Sequence, residues 1–245
     1  MTNRLRLTLC AIAFWAVLLS GVAHGAASAS ELPMPFVARY SLTTHGATIG
    51  ETEWSVRAVA EGRYAYESRS NAAGVLSLIS DEEIVERSEW TLTDGMLRPM
   101  NYSYRREGGK KDRTILVDFD WENMQAKNTA KGRTWRMPVP DGTLDKLSYV
   151  LVLMADLAAE KSELQYLVAD GGKLKTYELQ REGNERLETA LGVFDTLKVR
   201  RLRNSEDRET LLWCARELNY LPVKIEHKER DGTLLMHIQS VEGLK

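Results

Sequence analysis

The stretch MNYSYRREGGKKDRTILVDFDW, residues 100–121, carries the pattern that decides the fold. In its second half the apolar residues occupy every second position, with Asp118 and Asp120 between them. These apolar positions are Ile115, Val117, Phe119 and Trp121. Such a period of two indicates a strand with one buried and one solvated face. Since Glu107-Gly108-Gly109-Lys110 is a turn signal between two such runs, we predict an antiparallel hairpin here.

The same alternation of apolar and polar residues extends over most of the chain. Short alternating segments are separated by turn signals such as Asp94-Gly95 and Asp170-Gly171-Gly172. Leu174–Gln180 and Glu185–Ala190 are predicted as two separate strands. A sheet of this many strands must curl, split or close. We therefore predict a mainly β protein built on a curved antiparallel sheet, half-barrel or barrel-like, with a sandwich as the alternative.

One segment has the spacing of a helix instead. Its apolar residues recur at intervals of three and four, which predicts a helix over about residues 144–160 that packs against the sheet. Asp141-Gly142-Thr143 offers capping side chains before it. The middle, Tyr149–Met154, is apolar nearly all round and needs cover on more than one side. The cover is either sheet and loop, or in part a lipid-like ligand or a partner.

The first residues predict an export signal. Arg4 and Arg6 precede an apolar run that is too short to span a bilayer stably, and small residues follow it. We predict a signal peptide over residues 1–29, cleaved after Gly25 or Ala29, and a single β-rich domain over 30–245. Loss of the two arginines takes the formal net charge from -2 to about -4. The mature chain is thus expected to be a soluble periplasmic protein that neither spans a membrane nor binds nucleic acid.

No cluster of residues declares a reaction. Cys214 lies in an apolar strand context and is expected to be buried and inert. His227 and His237 fall in neighbouring predicted strands, but no further ligand stands at zinc-site spacing. We therefore predict no catalytic residue, no metal and no cofactor. A hydrolase would gain support if His227 or His237 lay against an acidic residue in a cleft.

Aromatic residues give the best indication of a binding site. They form rows on one face of two predicted strands, and such rows either line a cavity in a curved sheet or pack its core. Together with two residues of the predicted helix, they make up the predicted ligand-binding set. Its members are Tyr64, Tyr66, Tyr102, Tyr104, Tyr149 and Leu153.

An ordered series of short motifs runs along the chain: Pro35–Tyr40, Arg98-Pro99-x-x-Tyr102, Val117–Trp121, Asp145-x-x-Ser148, Gly192-x-Phe194, Thr210–Trp213 and Tyr220–Ile225. This series resembles the bacterial family of unknown function DUF3108, whose members are exported proteins without an established activity. The resemblance covers nearly the whole mature chain and implies export and a single domain. It supplies no catalytic residues. More loosely, a curved sheet around a helix is similar to periplasmic lipoprotein carriers and envelope-stress sensors, which bind acyl chains in the concavity.

Three functions follow as hypotheses. The first is a periplasmic, non-enzymatic protein that binds a hydrophobic or amphiphilic, lipid-like envelope ligand in the concave sheet. The second is a protein-interaction module in envelope assembly or stress signalling. The third is an uncharacterised hydrolase. A concave side filled by the protein's own side chains favours the second hypothesis, and an open one favours the first.

Overall fold

The computed structural model describes residues 32, 35–74, 77, 80–109, 111–202, 208–230 and 232–244. The predicted signal peptide and its cleavage sites lie outside these residues. Within them, fifteen strands form a single sheet and one α-helix packs on it. The prediction of a mainly β protein with a curved sheet and one helix is confirmed.

The strands are β1 Phe36–Thr44, β2 Ala47–Ala60, β3 Arg63–Ala72, β4 Glu83–Thr93, β5 Met96–Glu107, β6 Arg113–Asp120, β7 Gln125–Ala130, β8 Arg133–Pro138, β9 Leu144–Asp145, β10 Leu164–Asp170, β11 Lys173–Thr189, β12 Gly192–Arg201, β13 Glu209–Ala215, β14 Leu221–Glu229 and β15 Gly232–Glu242. The helix α1 spans Ser148–Ala158, and a 3-10 helix spans Arg216–Leu218.

The sheet grows in two directions from the pairing of β1 with β15. One direction runs through β2 to β8, and the other runs through β14 back to β9. Neighbouring strands are antiparallel except β9 and β10, which are parallel. The sheet is therefore mixed at one edge, where the sequence predicted purely antiparallel pairing. Among the described strands, β8 and β9 have a neighbour on one side only, so the sheet does not close.

Contacts between strands that are far apart in the sheet show how strongly it curves. Ser88 of β4 donates a hydrogen bond to Asp145 of β9, over 2.5 Å. At the other edge, the indole N–H of Trp135 in β8 donates to the carbonyl oxygen of Gly172 between β10 and β11, over 3.1 Å. The two halves of the sheet therefore face each other across a concave interior.

Helix α1 occupies that interior. Every residue from Ser148 to Leu157 is buried, which fits a sequence that is apolar nearly all round. The helix is shorter than the predicted range 144–160, because Leu144–Asp145 pairs with β10 as a strand. An eleven-residue helix is marginal by itself, so packing against the sheet stabilises it. No helix in the described residues has the length and apolar character needed to cross a membrane.

Strand β11 differs most from its prediction. The two predicted segments 174–180 and 185–190 belong to one strand of 17 residues, with a bulge between Arg181 and Gly183. A bulge adds a residue and so breaks the alternation that marks a strand in sequence. Strands β7 and β8 were missed because few of their side chains are apolar.

Candidate functional site

The predicted aromatic residues lie along one side of the interior. Tyr66, Ser88 and Tyr102 are successive register partners across β3, β4 and β5. Both tyrosines are buried in the main core, as are Tyr149 and Leu153 of α1. The core thus joins the predicted strand and helix residues, and the helix fills the space in front of the tyrosines. A ligand in contact with this set would have to displace α1.

The remaining two predicted residues are less covered. Tyr64 is partly buried and stacks on Trp90, with 4.6 Å between ring centroids. Tyr104 is also partly buried, and its ring has the Arg113 guanidinium at 5.6 Å and the Lys146 ammonium at 5.7 Å. Cationic groups near an aromatic ring are attracted to its π face. These two residues therefore connect the core to the surface.

Near each end of α1, one carboxylate pairs with one tyrosine and one lysine. Glu86 accepts hydrogen bonds from the Tyr102 hydroxyl and, over 3.2 Å, from the Lys146 ammonium. Towards the C-terminal end, Asp156 pairs with Tyr166 over 3.0 Å and with Lys161 over 2.6 Å. We name these two groups the Glu86 clasp and the Asp156 clasp. Each satisfies a carboxylate that would otherwise destabilise the fold.

Asp145 lies just before α1, and its side chain is fully buried. Its Oδ1 accepts the backbone N–H groups of Leu147 at 2.8 Å and Ser148 at 2.9 Å, and its Oδ2 accepts the Ser88 hydroxyl. Burial raises the pKa of Asp145, and these hydrogen bonds oppose that shift. The N-cap position is Leu147, and the side chain that satisfies the N–H groups at the helix start is Asp145, while the sequence pointed to Asp141-Gly142-Thr143.

Like Glu86 and Asp156, a third carboxylate pairs with one lysine and one tyrosine, and it lies at the β10–β11 turn. Asp170 accepts the Lys175 ammonium at 2.6 Å and the Tyr177 hydroxyl at 3.0 Å. Burial by itself would raise the pKa of Asp170, but Lys175 and Tyr177 outweigh it and hold that pKa below its ordinary value. Ionised Asp170 therefore stabilises the folded state.

This stabilisation predicts a specific pH dependence. A carboxyl group with a lowered pKa stabilises the fold above its unfolded pKa, near 4, and loses that contribution as the pH falls through the folded pKa. We expect Asp170→Asn to lower the unfolding free energy by about 1–3 kcal/mol at pH 7. The difference from wild type should shrink below about pH 4. Urea denaturation at several pH values measures it, with exposed Asp118→Asn as the control. A difference that stays constant with pH would contradict the assignment.

Two aromatic side chains of the core each have a polar group without a hydrogen-bond partner within the described residues. These groups are the Tyr66 hydroxyl and the Trp90 indole N–H, both on fully buried side chains. Burial, and then the neighbouring Tyr40, raise the pKa of Tyr66. The hydroxyl therefore stays protonated.

The histidines lie apart from this core site. His227 of β14 forms two side-chain hydrogen bonds. Its Nδ1 bonds the Thr210 hydroxyl over 2.9 Å, and its Nε2 bonds the Glu229 carboxylate over 3.0 Å. A histidine between a hydroxyl and a carboxylate can move a proton. The Thr210 side chain is buried, however, so the group presents no exposed nucleophile. His237 pairs in register with Lys224, and burial followed by Lys224 lowers its pKa.

Cys214 is fully buried in β13, and burial raises the pKa of its thiol. This disfavours the reactive thiolate. Within the described residues, no three His, Cys, Asp or Glu side chains converge as metal ligands would.

A surface groove opens where α1 ends beside the bulge of β11. We name it the arginine groove; it is open to solvent and has a volume of about 540 Å³. Leu157, Leu197 and Tyr220 provide apolar lining, while Arg181 and Arg216 lie beside them. The remaining lining residues are Glu160, Glu182, Gly183 and Asn184.

Neither arginine of the groove has a carboxylate partner among the described residues. Arg181 donates to the carbonyl oxygen of Ser162 at 3.3 Å, and Arg216 donates to the side-chain oxygen of Asn184 at 2.9 Å. Glu182, in contrast, is paired with Arg200. The groove therefore places two guanidinium groups, together with the Glu160 carboxylate, beside the apolar side chains of Leu157, Leu197 and Tyr220. Sequence reasoning missed it, because its residues come together only through the β11 bulge and the helix end.

Comparison with known proteins identifies the family. The family described as "Protein of unknown function (DUF3108)" matches residues 39–239. The chain belongs to the DUF3108 family. This confirms the resemblance drawn from the sequence motifs. No curated protein matches the chain.

Two solved structures resemble this DUF3108 chain. One is a β-barrel-like protein of the DUF1849 family from Brucella abortus, with a TM-score of 0.57 and 11% identity, covering 86% of this chain and 98% of that one. The other is a provisionally assigned lipoprotein from Parabacteroides distasonis, with a TM-score of 0.38 and 10% identity, covering 86% and 98% respectively. The first likeness supports the curved-sheet fold alone.

Proposed function

We propose that this DUF3108 protein is an exported, non-enzymatic binding protein of the bacterial cell envelope, located in the periplasm. Its ligand would be a lipid-like amphiphile with an anionic head group. The observation that carries the proposal is the arginine groove, where Arg181 and Arg216 lie beside an apolar lining. The volume of about 540 Å³ falls in the range of small-molecule sites.

A filled concave side favours the second sequence hypothesis, a protein-interaction module, so the ligand-binding proposal depends on the surface groove instead of the concave sheet. Helix α1 and the inward side chains of the sheet fill the concave side, and Leu151 and Leu153 at its centre are fully buried. An acyl chain therefore lies against Leu157, Leu197 and Tyr220 at the rim of the interior. The head group lies against the two guanidinium groups, which suit carboxylate or phosphate oxygens.

A titration with dansyl-undecanoic acid tests the proposal on delipidated mature protein. We expect saturable binding, and weaker binding of the methyl ester, which lacks the anionic charge. Arg216→Glu should weaken the acid by roughly ten- to hundredfold, since it replaces a charge-assisted contact by a repulsion. Arg133→Glu on β8, an exposed arginine at the far edge of the sheet, is the matched control and should have little effect.

Two results would overturn the proposal. The first is no saturable binding of the acid by delipidated protein. The second is equal affinity of wild type and Arg216→Glu, which would place the ligand elsewhere. Native mass spectra of protein purified from the periplasm give an independent check, because they should show a copurifying lipid.

A further inference from the structure

The ends of β11 and β12 form a two-stranded arm with an unpaired edge. Strand β10 pairs with β11 only over Lys173–Leu179. Strand β13 pairs with β12 only from Thr196 onward. We name Glu182–Thr189 and Gly192–Asp195 the arm; in it Arg186–Thr189 pairs with Gly192–Asp195, and Gly183–Glu185 pairs with Thr196–Lys198 of β12. Among the described residues no strand is hydrogen-bonded to the outer side of Glu182–Thr189, so its backbone groups are available for pairing.

The arm also carries exposed apolar side chains at its tip. Leu191 is 38% exposed and Val193 is 54% exposed, the highest value among the large hydrophobic residues of the described chain. An exposed edge next to an apolar tip is the kind of feature that pairs with another strand.

We propose that the arm is a self-association surface, and that two copies of this chain join by antiparallel pairing of Glu182–Thr189 across a two-fold axis. The strand sequence is self-complementary when the axis passes through Leu187. In that register Leu187 lies opposite Leu187 of the second copy, and Arg186 lies opposite Glu188 of the second copy. The two-fold axis repeats the Arg186–Glu188 pair, so one interface contains two opposite-charge cross-strand pairs.

Other registers are less favourable. An axis through Arg186 brings two arginines face to face, and an axis through Glu188 brings two glutamates face to face. Like charges directly opposite each other destabilise a strand pair. Of these three registers, the charge pattern therefore favours the one centred on Leu187.

The backbone also suits this register. Thr189 and Gly192 flank the two-residue turn of the arm. Hydrogen-bonding positions alternate along an antiparallel strand, so Thr189 and Leu187 direct their backbone groups to β12. Arg186 and Glu188 direct theirs to the unpaired edge, where they can bond each other across the axis.

The interface is small. Two edge strands of this length bury less surface than a standard stable interface, so the dimer is weak and concentration-dependent. Sedimentation velocity of the mature protein, over a series reaching millimolar concentration, should show the average mass rising from one chain towards two.

Charge reversal tests the register. Arg186→Glu and Glu188→Arg each convert two opposite-charge pairs into two like-charge pairs, and each should weaken the dimer roughly tenfold or more. The double variant Arg186→Glu/Glu188→Arg restores opposite charges and should recover dimerisation. An equimolar mixture of the two single variants should form a heterodimer, since every pair is then again opposite in charge.

The equimolar mixture tests a simpler explanation, in which a single substitution weakens the dimer only by disturbing the arm of its own chain. Arg186 also pairs with Asp195 of its own chain at 3.6 Å, so a single variant could act by loosening the arm. A loosened arm would not recover on mixing. Wild-type protein that stays monomeric throughout, single variants that dimerise as well as wild type, or a mixture that stays monomeric would each overturn the proposal. Titration of dansyl-undecanoic acid into the single variants shows separately whether the arginine groove still binds.

Discussion

Leu153→Ala is expected to lower the unfolding free energy by about 2–5 kcal/mol, because it removes a fully buried side chain and leaves a cavity. Leu153 lies on α1 in the centre of the concave interior. Strands from both halves of the sheet pack around this helix, and a short helix cannot shift to fill a void without losing other contacts. Urea denaturation followed by tryptophan fluorescence gives the difference between the variant and wild type.

Leu116→Ala provides the matched control for this prediction. Leu116 lies on β6 and is 41% exposed, so the same chemical change removes little buried surface. We expect a change within about 0.5 kcal/mol. If both variants lost similar stability, α1 would not be the centre of the core. The result also concerns ligand binding. A ligand could enter the interior only by displacing this tightly packed helix, and the displacement would cost much free energy.

Asp145→Ala is expected to lower the unfolding free energy by about 2–4 kcal/mol, because buried donors lose their acceptor. The backbone N–H groups of Leu147 and Ser148 and the Ser88 hydroxyl all donate to this one carboxyl group. The loss affects both the start of α1 and the link between β4 and β9. Thermal and urea unfolding of the variant measure it.

Asp145→Asn separates the hydrogen bonds from the charge. Its amide oxygen still accepts the two backbone N–H groups, so we expect a loss of only about 1 kcal/mol. Because burial raises the pKa of Asp145, the folded state holds its proton more tightly than the unfolded state. The stability of wild type relative to the asparagine variant should therefore fall as the pH rises above about 4. Equal losses in the alanine and asparagine variants would contradict the capping role.

The contributions of Asp145 and Asp170 to the unfolding free energy thus change with pH in opposite directions, for a physical reason. Asp145 is fully buried and no cation pairs with it among the described residues, so desolvation dominates its pKa. Asp170 is also partly buried, but the Lys175 ammonium at 2.6 Å outweighs the desolvation. The sequence shows two acidic residues near turns and gives no indication of this difference. Distance and burial decide it.

Several elements were predictable because their signals are local. The alternation of apolar and polar residues predicted β6, and the three-and-four spacing predicted α1. The helix start was placed too early, since the strand β9 forms only when β10 is beside it. The bulge in β11 was also missed, because pairing with β12 defines it.

The candidate sites were predictable to a smaller degree. The aromatic rows identified Tyr66 and Tyr102, which the structure brings together with Tyr149 and Leu153 in one core. Their role as ligand-binding residues stays a prediction. The arginine groove was not predictable, because Arg181 and Arg216 are distant in sequence and carry no motif.

The sequence by itself determined the mainly β class, the single internal helix and membership of the DUF3108 family. Each depends on periodicity or on an ordered series of residues that any observer can find along the chain. Only the tertiary structure decided that the helix fills the concave side, that Glu86 and Asp156 clasp it, and that an arm with an unpaired edge remains. These features depend on how far the sheet curls, and that curvature arises from the summed twist of fifteen strands, which no short segment encodes.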